Sequence, residues 1–163
     1  MAEFVYLSLG SNLGDRYANL RAAIEQLGEA GAIRAVSSFY ETEPVEFRDQ
    51  PWFMNCVIAL EPRDSPEALL QRALAIEQEM GRVRMKEKGP RSIDIDILLF
   101  GDRVVEERGL KIPHPAMHQR RFVLEPLAEI APQALHPLLR KTARELLADL
   151  PVGQVVRLLE PKT

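Results

Sequence analysis

The stretch that most constrains the fold runs from Gly89 to Gly101 and reads Gly-Pro-Arg-Ser-Ile-Asp-Ile-Asp-Ile-Leu-Leu-Phe-Gly. From Ile93 to Phe100 nearly every residue is β-branched or apolar, with turn residues on both sides, so the run predicts a strand of about eight residues. Successive side chains of a strand point to opposite faces. Ile93, Ile95, Ile97 and Leu99 are therefore expected to share one face, toward a core, while Asp94 and Asp96 share the other. Two such carboxylates stand roughly 7 Å apart, and a buried charge without a partner is costly. Something positive should lie between or above them. Arg82 and Arg84 in Gly81-Arg82-Val83-Arg84, with Arg91, are one candidate and would form an ion-pair cluster. The other is a divalent metal, because Mg2+ prefers hard oxygen ligands, often one or two carboxylates completed by water and substrate phosphates. Carboxylates for a metal beside several arginines, which grip phosphate bidentately, suit a metal-bound polyphosphate and phosphoryl transfer.

At 163 residues the chain is expected to form a single domain, residues 1–163, with an ample core. Hydrophobic content of 46% and charged content of 28% are those of a soluble globular protein. No stretch approaches the eighteen or so continuous apolar residues of a membrane span, and Met1-Ala2-Glu3-Phe4 lacks a signal-peptide pattern, so no membrane partner and a cytoplasmic location are expected. The single cysteine, Cys56, lies in the apolar run Phe53 to Leu60 and reads as a packed core residue. A net charge of −3 argues against a nucleic-acid surface.

Taken in order, Phe4 to Leu9 predicts a first strand ending in the turn Gly10 to Asp15, and Leu20, Ala23, Ile24 and Leu27 recur at helical spacing up to about Glu29. Ile33 to Glu41 predicts a second strand, Thr42 to Pro51 a mobile or ligand-covering loop, and Phe53 to Leu60 a third strand in which the amide of Asn55 is the odd polar group. Asp64-Ser65-Pro66-Glu67 opens a second helix with capping residues, and Leu69, Leu70, Ala73, Ile76 and Met80 form its buried face. Val104-Val105 and Leu110 to Ile112 predict a small ribbon, Arg120 to Glu129 a helix, Pro132 to Leu139 irregular chain, Thr142 to Leu150 a last helix and Val155 to Leu159 an edge strand. The central order is β-α-β-β-α-β. That is an α+β, ferredoxin-like core, an antiparallel sheet with helices packed on it and extra C-terminal helices, its second face left for a ligand or the C-terminal segment.

Several of these pieces together resemble the 6-hydroxymethyl-7,8-dihydropterin pyrophosphokinase family of folate biosynthesis. They are Leu9-Gly10-Ser11-Asn12-Leu13-Gly14, Ser37-Ser38-Phe39-Tyr40-Glu41-Thr42, Asp49-Gln50-Pro51 to Asn55, Gly81-Arg82-Val83-Arg84, Gly89-Pro90-Arg91 to Asp96, and Pro113-His114-Pro115 with Arg120 and Phe122. The resemblance covers about Tyr6 to Pro132. It implies transfer of a pyrophosphoryl group from ATP to the pterin hydroxymethyl, with release of AMP. It further implies that Asp94 and Asp96 hold two Mg2+ ions, that Arg82, Arg91, His114 and Arg120 lie along the nucleotide with Glu77 nearby, and that Thr42, Phe53, Asn55 and Phe122 line the pterin pocket. A monomer is expected. Where such families carry arginine and tryptophan before Gly-Pro-Arg, this chain has Lys86-Glu87-Lys88, and a phenylalanine, Phe53, stands at the stacking position where tyrosine is usual.

Two rivals frame this reading. A ferredoxin-like regulatory or RNA-binding module has no need of arginines beside a D-x-D, and low aromatic content disfavours RNA. A two-metal phosphodiester hydrolase needs further acidic or histidine ligands at clear spacing, which the sequence lacks.

Overall fold

The computed structural model describes residues 3–44, 51–80 and 92–159. The central sheet contains β1 (Val5–Ser11), β2 (Gly31–Val36), β3 (Tyr40–Thr42), β4 (Phe53–Pro62), β5 (Asp94–Phe100) and β10 (Val156–Leu158). Its order is β10-β3-β4-β1-β5, β2 pairs with β4 alongside β3, and every pairing is antiparallel. Two crossover helices, α1 (Arg16–Leu27) and α2 (Pro66–Glu79), complete the β-α-β-β-α-β core. A ribbon, β6 (Val105–Glu107) with β7 (Leu110–Ile112), leads to α3 (Arg121–Ile130), and a second, β8 (Leu135–His136) with β9 (Lys141–Thr142), leads to α4 (Ala143–Asp149).

Local chemistry starts the helices. Asp15 accepts the amide of Ala18 at 3.0 Å, Ser65 that of Ala68 at 3.1 Å ahead of Pro66, and Thr142 and Glu145 form a reciprocal capping box. Leu20, Ala23, Ile24 and Leu27 of α1 and Leu69, Ala73 and Ile76 of α2 then bury against Leu7, Leu9, Met54, Cys56, Ile58, Ile95 and Ile97 on one sheet face. The opposite face is divided. Val57, Leu98 and Leu99 pack against Val123, Leu124 and Leu127 of α3 and Ala143 and Leu146 of α4, while the other half of that face carries polar side chains.

Three expectations need correction. The run Ile33 to Glu41 is not one strand, because the chain steps out at Ser37 and re-enters as β3. Ser37 bridges the gap: its amide donates to the Val57 carbonyl and its hydroxyl accepts the Val57 amide, both at 2.9 Å, so a side chain keeps the ladder where backbone leaves it. Leu99 does not share the face of Ile93. The register between β1 and β5 shifts as Tyr6 pairs Leu99 and Leu7 pairs Ile97, which leaves Leu98 as the extra residue of a bulge and sends both Leu98 and Leu99 toward α3. Finally, the segment read as irregular from Pro132 contains β8, and Gly10 belongs to β1 rather than to the turn after it.

Candidate active site

On the open half of the second sheet face, the register places Tyr40, Asn55, Gly10 and Asp94 in one cross-strand row, and Val57, Ser8 and Asp96 in the next. Thr42 stands opposite Phe53 beside the first row. The sheet thus brings two carboxylates from β5 and an amide, a hydroxyl and a ring from β3 and β4 onto one surface, separated by β1. Four adjacent strands achieve this because directly opposed residues of antiparallel strands share a face.

Gly10 is what lets the two groups approach. A methyl at that position would sit 2.6 Å from Asn55 Nδ2 and 3.4 Å from Phe53 Cδ1, so the amide and the ring lie across its bare backbone. Asn55 is buried and oriented: Thr42 Oγ1 donates to its Oδ1, and its Nδ2 donates weakly to the Leu9 carbonyl at 3.4 Å. An amide held this way presents a fixed donor edge to a flat polar ligand.

His114 joins Asp94 and Asp96. Its backbone amide donates to the Leu98 carbonyl at 2.9 Å, which ties the loop after β7 to β5, and its Nε2 lies 4.0 Å from Asp96 Oδ1. Nδ1 accepts the amide of Ala116 at 3.1 Å. Burial, reinforced by the Arg120 charge and opposed by Asp94, lowers the imidazole to about 4. The ring is neutral near pH 7 and its proton resides on Nε2, facing the carboxylate side. Arg120, at the start of α3, lies with its guanidinium carbon 5.5 Å from the centroid of the Phe122 ring. Glu77 approaches β5 from α2: it is buried, and its Oε2 accepts the Ile95 amide at 2.8 Å. Of the expected residues, Thr42, Phe53, Asn55, Asp94 and Asp96 lie on this half of the sheet, His114 meets Asp96 and feels the Arg120 charge, and Glu77 reaches β5 through its backbone, whereas Phe122 packs beside the cluster that α3 and α4 form on the covered half. Arg82, Arg84 and Arg91, with the Lys86-Glu87-Lys88 segment, fall outside the described residues.

Sequence reasoning missed two contributors. Gly10, expected in the turn after the first strand, lies inside β1, where a glycine in an otherwise apolar strand marks close approach. Glu129 had no local signal at all. From α3 its carboxylate accepts the Ser38 amide, the Ser38 hydroxyl at 2.8 Å and the Tyr40 hydroxyl at 2.6 Å, tying the helix that carries Phe122 to the strand that carries Thr42. Among the described residues no three His, Cys, Asp or Glu side chains cluster as a metal cage, and no helix is long and apolar enough to cross a membrane.

Residues 6–132 match the family described as 7,8-dihydro-6-hydroxymethylpterin-pyrophosphokinase. A Methylorubrum extorquens protein named 2-amino-4-hydroxy-6-hydroxymethyldihydropteridine pyrophosphokinase is 43% identical over 154 residues, 93% of this chain and 96% of its own length. The Aquifex aeolicus protein of the same name is 43% identical over 141 residues, 86% of this chain and 88% of its own. The folic acid synthesis protein fol1 of Schizosaccharomyces pombe is 44% identical over 158 residues, which is 96% of this chain but 21% of that much longer protein. This chain therefore spans about a fifth of the length of such relatives. Among solved structures, wild-type HPPK-DHPS of Plasmodium falciparum with pteroate shares the fold, with a TM-score of 0.72 at 17% identity over 91% of this chain and 44% of that one. By the extent of these matches, the chain belongs to the 7,8-dihydro-6-hydroxymethylpterin-pyrophosphokinase family.

Proposed function

We propose that the chain transfers the pyrophosphoryl group of ATP to the hydroxymethyl of 6-hydroxymethyl-7,8-dihydropterin, yielding AMP and the pterin diphosphate. The observation that carries this reading is the row Asn55–Gly10–Asp94, which sets a buried, oriented amide and a carboxylate pair on one surface with only a glycine backbone between. In the reaction the substrate hydroxyl oxygen forms a bond to the β-phosphorus. The bond from that phosphorus to the α-phosphate bridging oxygen breaks, and the hydroxyl proton is lost. Little covalent work falls to the protein, so positioning and charge neutralisation carry the catalysis.

Asp94 and Asp96 suit Mg2+, and two ions are proposed with ATP. Two partly exposed carboxylates on one strand face are a donor set for a hard ion that completes its shell with phosphate oxygens and water. When bound, such ions offset the charge of the triphosphate and favour loss of the hydroxyl proton. His114 is set to donate Nε2–H to a phosphate oxygen, and Arg120 to add positive charge beside it. Arg82 and Arg91 are assigned to the triphosphate on the strength of the family motif. Asn55 reads the polar edge of the pterin, supported by Thr42, while Phe53 and Phe122 contact its faces. Glu77 acts on the carboxylate pair indirectly, by holding Ile95 between them.

The test is AMP release from magnesium-ATP with and without the pterin, with the product identified by mass. Pterin-dependent AMP and a product heavier by two phosphoryl groups are expected. ADP, or no nucleotide product from folded protein, overturns the assignment.

A further inference from the structure

The family match ends at residue 132, yet the chain returns to the sheet afterwards. In β10, Val156 pairs with Thr42, Arg157 with Glu41 and Leu158 with Tyr40. Alternation turns Glu41 and Arg157 away from Thr42, to the side of the sheet that α1 covers. There one oxygen of Glu41 meets Arg157 Nη2 at 2.8 Å and the other meets Arg16 Nη1 at 3.1 Å. The same Arg16 nitrogen donates to the Trp52 carbonyl at 2.9 Å, and the guanidinium of Arg157 lies 4.7 Å from the centroid of the Trp52 ring. Asn12, itself buried, donates to the Pro51 carbonyl at 2.9 Å. The two residues that lead into Phe53 are thus held at both carbonyls and across the indole.

Glu41 and Trp52 are the sequence neighbours of Thr42 and Phe53, which stand opposite each other on the pterin side. We infer that Arg157 is a positioning residue of the pterin pocket: bridging Glu41 and Trp52, it fixes the backbone from which Thr42 and Phe53 project. This rests on the pterin reading above. Misplacing a binding group weakens ground state and transition state alike, so its signature is a higher KM with kcat unchanged. Arg157 is 60% exposed at its side chain, so replacing it leaves the core intact.

Trp52 is the only tryptophan of the chain, and its emission therefore reports the clamp without labelling. Arg157→Met keeps an apolar stem but removes the cation, and Arg157→Lys keeps charge without the planar stack. Arg103→Met is the matched control, since Arg103 lies 4.8 Å from the Phe100 ring centroid and pairs with Glu3 at 2.9 Å far from the pocket. In substrate-free protein, Arg157→Met is expected to raise acrylamide quenching of Trp52 about twofold. It should also raise the pterin KM roughly three- to tenfold while kcat and the ATP KM stay within about twofold. Arg157→Lys should fall between, and Arg103→Met should match wild type. Unchanged quenching, or altered quenching with an unchanged pterin KM, overturns the inference. So does a joint decline of kcat, ATP affinity and melting temperature, which is the mark of general damage. If wild-type protein releases no pterin-dependent AMP, the functional reading fails instead, and the quenching result alone shows whether the clamp exists.

Discussion

Gly10→Ala is the sharpest perturbation of the site. The added methyl would stand 2.6 Å from Asn55 Nδ2, about 0.8 Å short of the 3.4 Å at which ordinary contact begins. Asn55 cannot swing aside freely, because its Oδ1 is held by the buried Thr42 hydroxyl and its Nδ2 borders the Leu9 carbonyl. Yielding leaves one of these buried groups without its partner, at roughly 1–3 kcal/mol. Alanine recovers about 0.4–1 kcal/mol through the unfolded chain, so folding stability should fall by no more than ~2.6 kcal/mol. The same displacement removes the edge that reads the pterin, and 1–3 kcal/mol corresponds to a fall of roughly 5- to 150-fold in kcat/KM for the pterin. AMP formation is measured against pterin concentration at saturating ATP, with the ATP KM and a thermal melt as controls. In an Asn55→Ala background the methyl loses its clash and keeps only the 3.4 Å contact with Phe53 Cδ1, so its effect on kcat/KM should shrink to under about twofold. A folded Gly10→Ala protein with wild-type pterin kinetics would refute the assignment of Asn55, and an undiminished effect in the double variant would refute the route through it.

Other consequences are equally direct. Asp96→Asn should lower pterin-dependent AMP release by about 10³-fold or more, with the melting temperature within about 4 °C of wild type because the side chain is partly exposed; loss of stability with activity retained would restore the salt-bridge reading. Glu129→Gln should destabilise by about 1–2 kcal/mol through its contacts to Ser38 and Tyr40. It should also make Tyr40 titrate at lower pH in ultraviolet absorbance, since burial first and the Glu129 carboxylate next raise that phenol above its ordinary value. Because the folded state holds the phenol proton more tightly, this contribution to stability is full below the ordinary phenol range and is lost as pH rises above it toward the raised folded-state value. Burial pushes the Cys56 thiol up to about 12 against the nearby Arg21 charge, so an aromatic disulfide reagent at pH 8 should react only as fast as the chain opens, and fully in denaturant.

Periodicity made Asp94 and Asp96 legible because an alternating strand states its faces locally, and α1, α2 and α4 announced themselves through Asp15, Ser65 and Thr142. What stayed hidden depends on partners distant in sequence. Nothing near Ser37 says that its hydroxyl will stand in for a carbonyl opposite Val57. The double leucine at 98 and 99 reads as continuous strand until β1 imposes the bulge. Glu129 and Arg157 act 91 and 116 residues from Ser38 and Glu41, beyond the reach of any local pattern. The candidate site itself was legible mainly through residue types at family spacing. Its depth, set by the missing Gly10 side chain, required the register of three strands.

The capture of Ile95 by Glu77 and of Leu98 by His114 also bears on how this molecule behaves in a crowded solution. Among the described residues β5 is an outermost strand of the sheet, and such a strand with bare amides and carbonyls is a template on which another chain can grow. Here the outward Ile95 amide already ends on a buried carboxylate, and the Leu98 carbonyl on a backbone amide. An incoming strand would have to displace the buried Glu77 side chain before forming its first bond. The contacts that hold the carboxylate strand in place therefore also protect the protein against edge-to-edge aggregation.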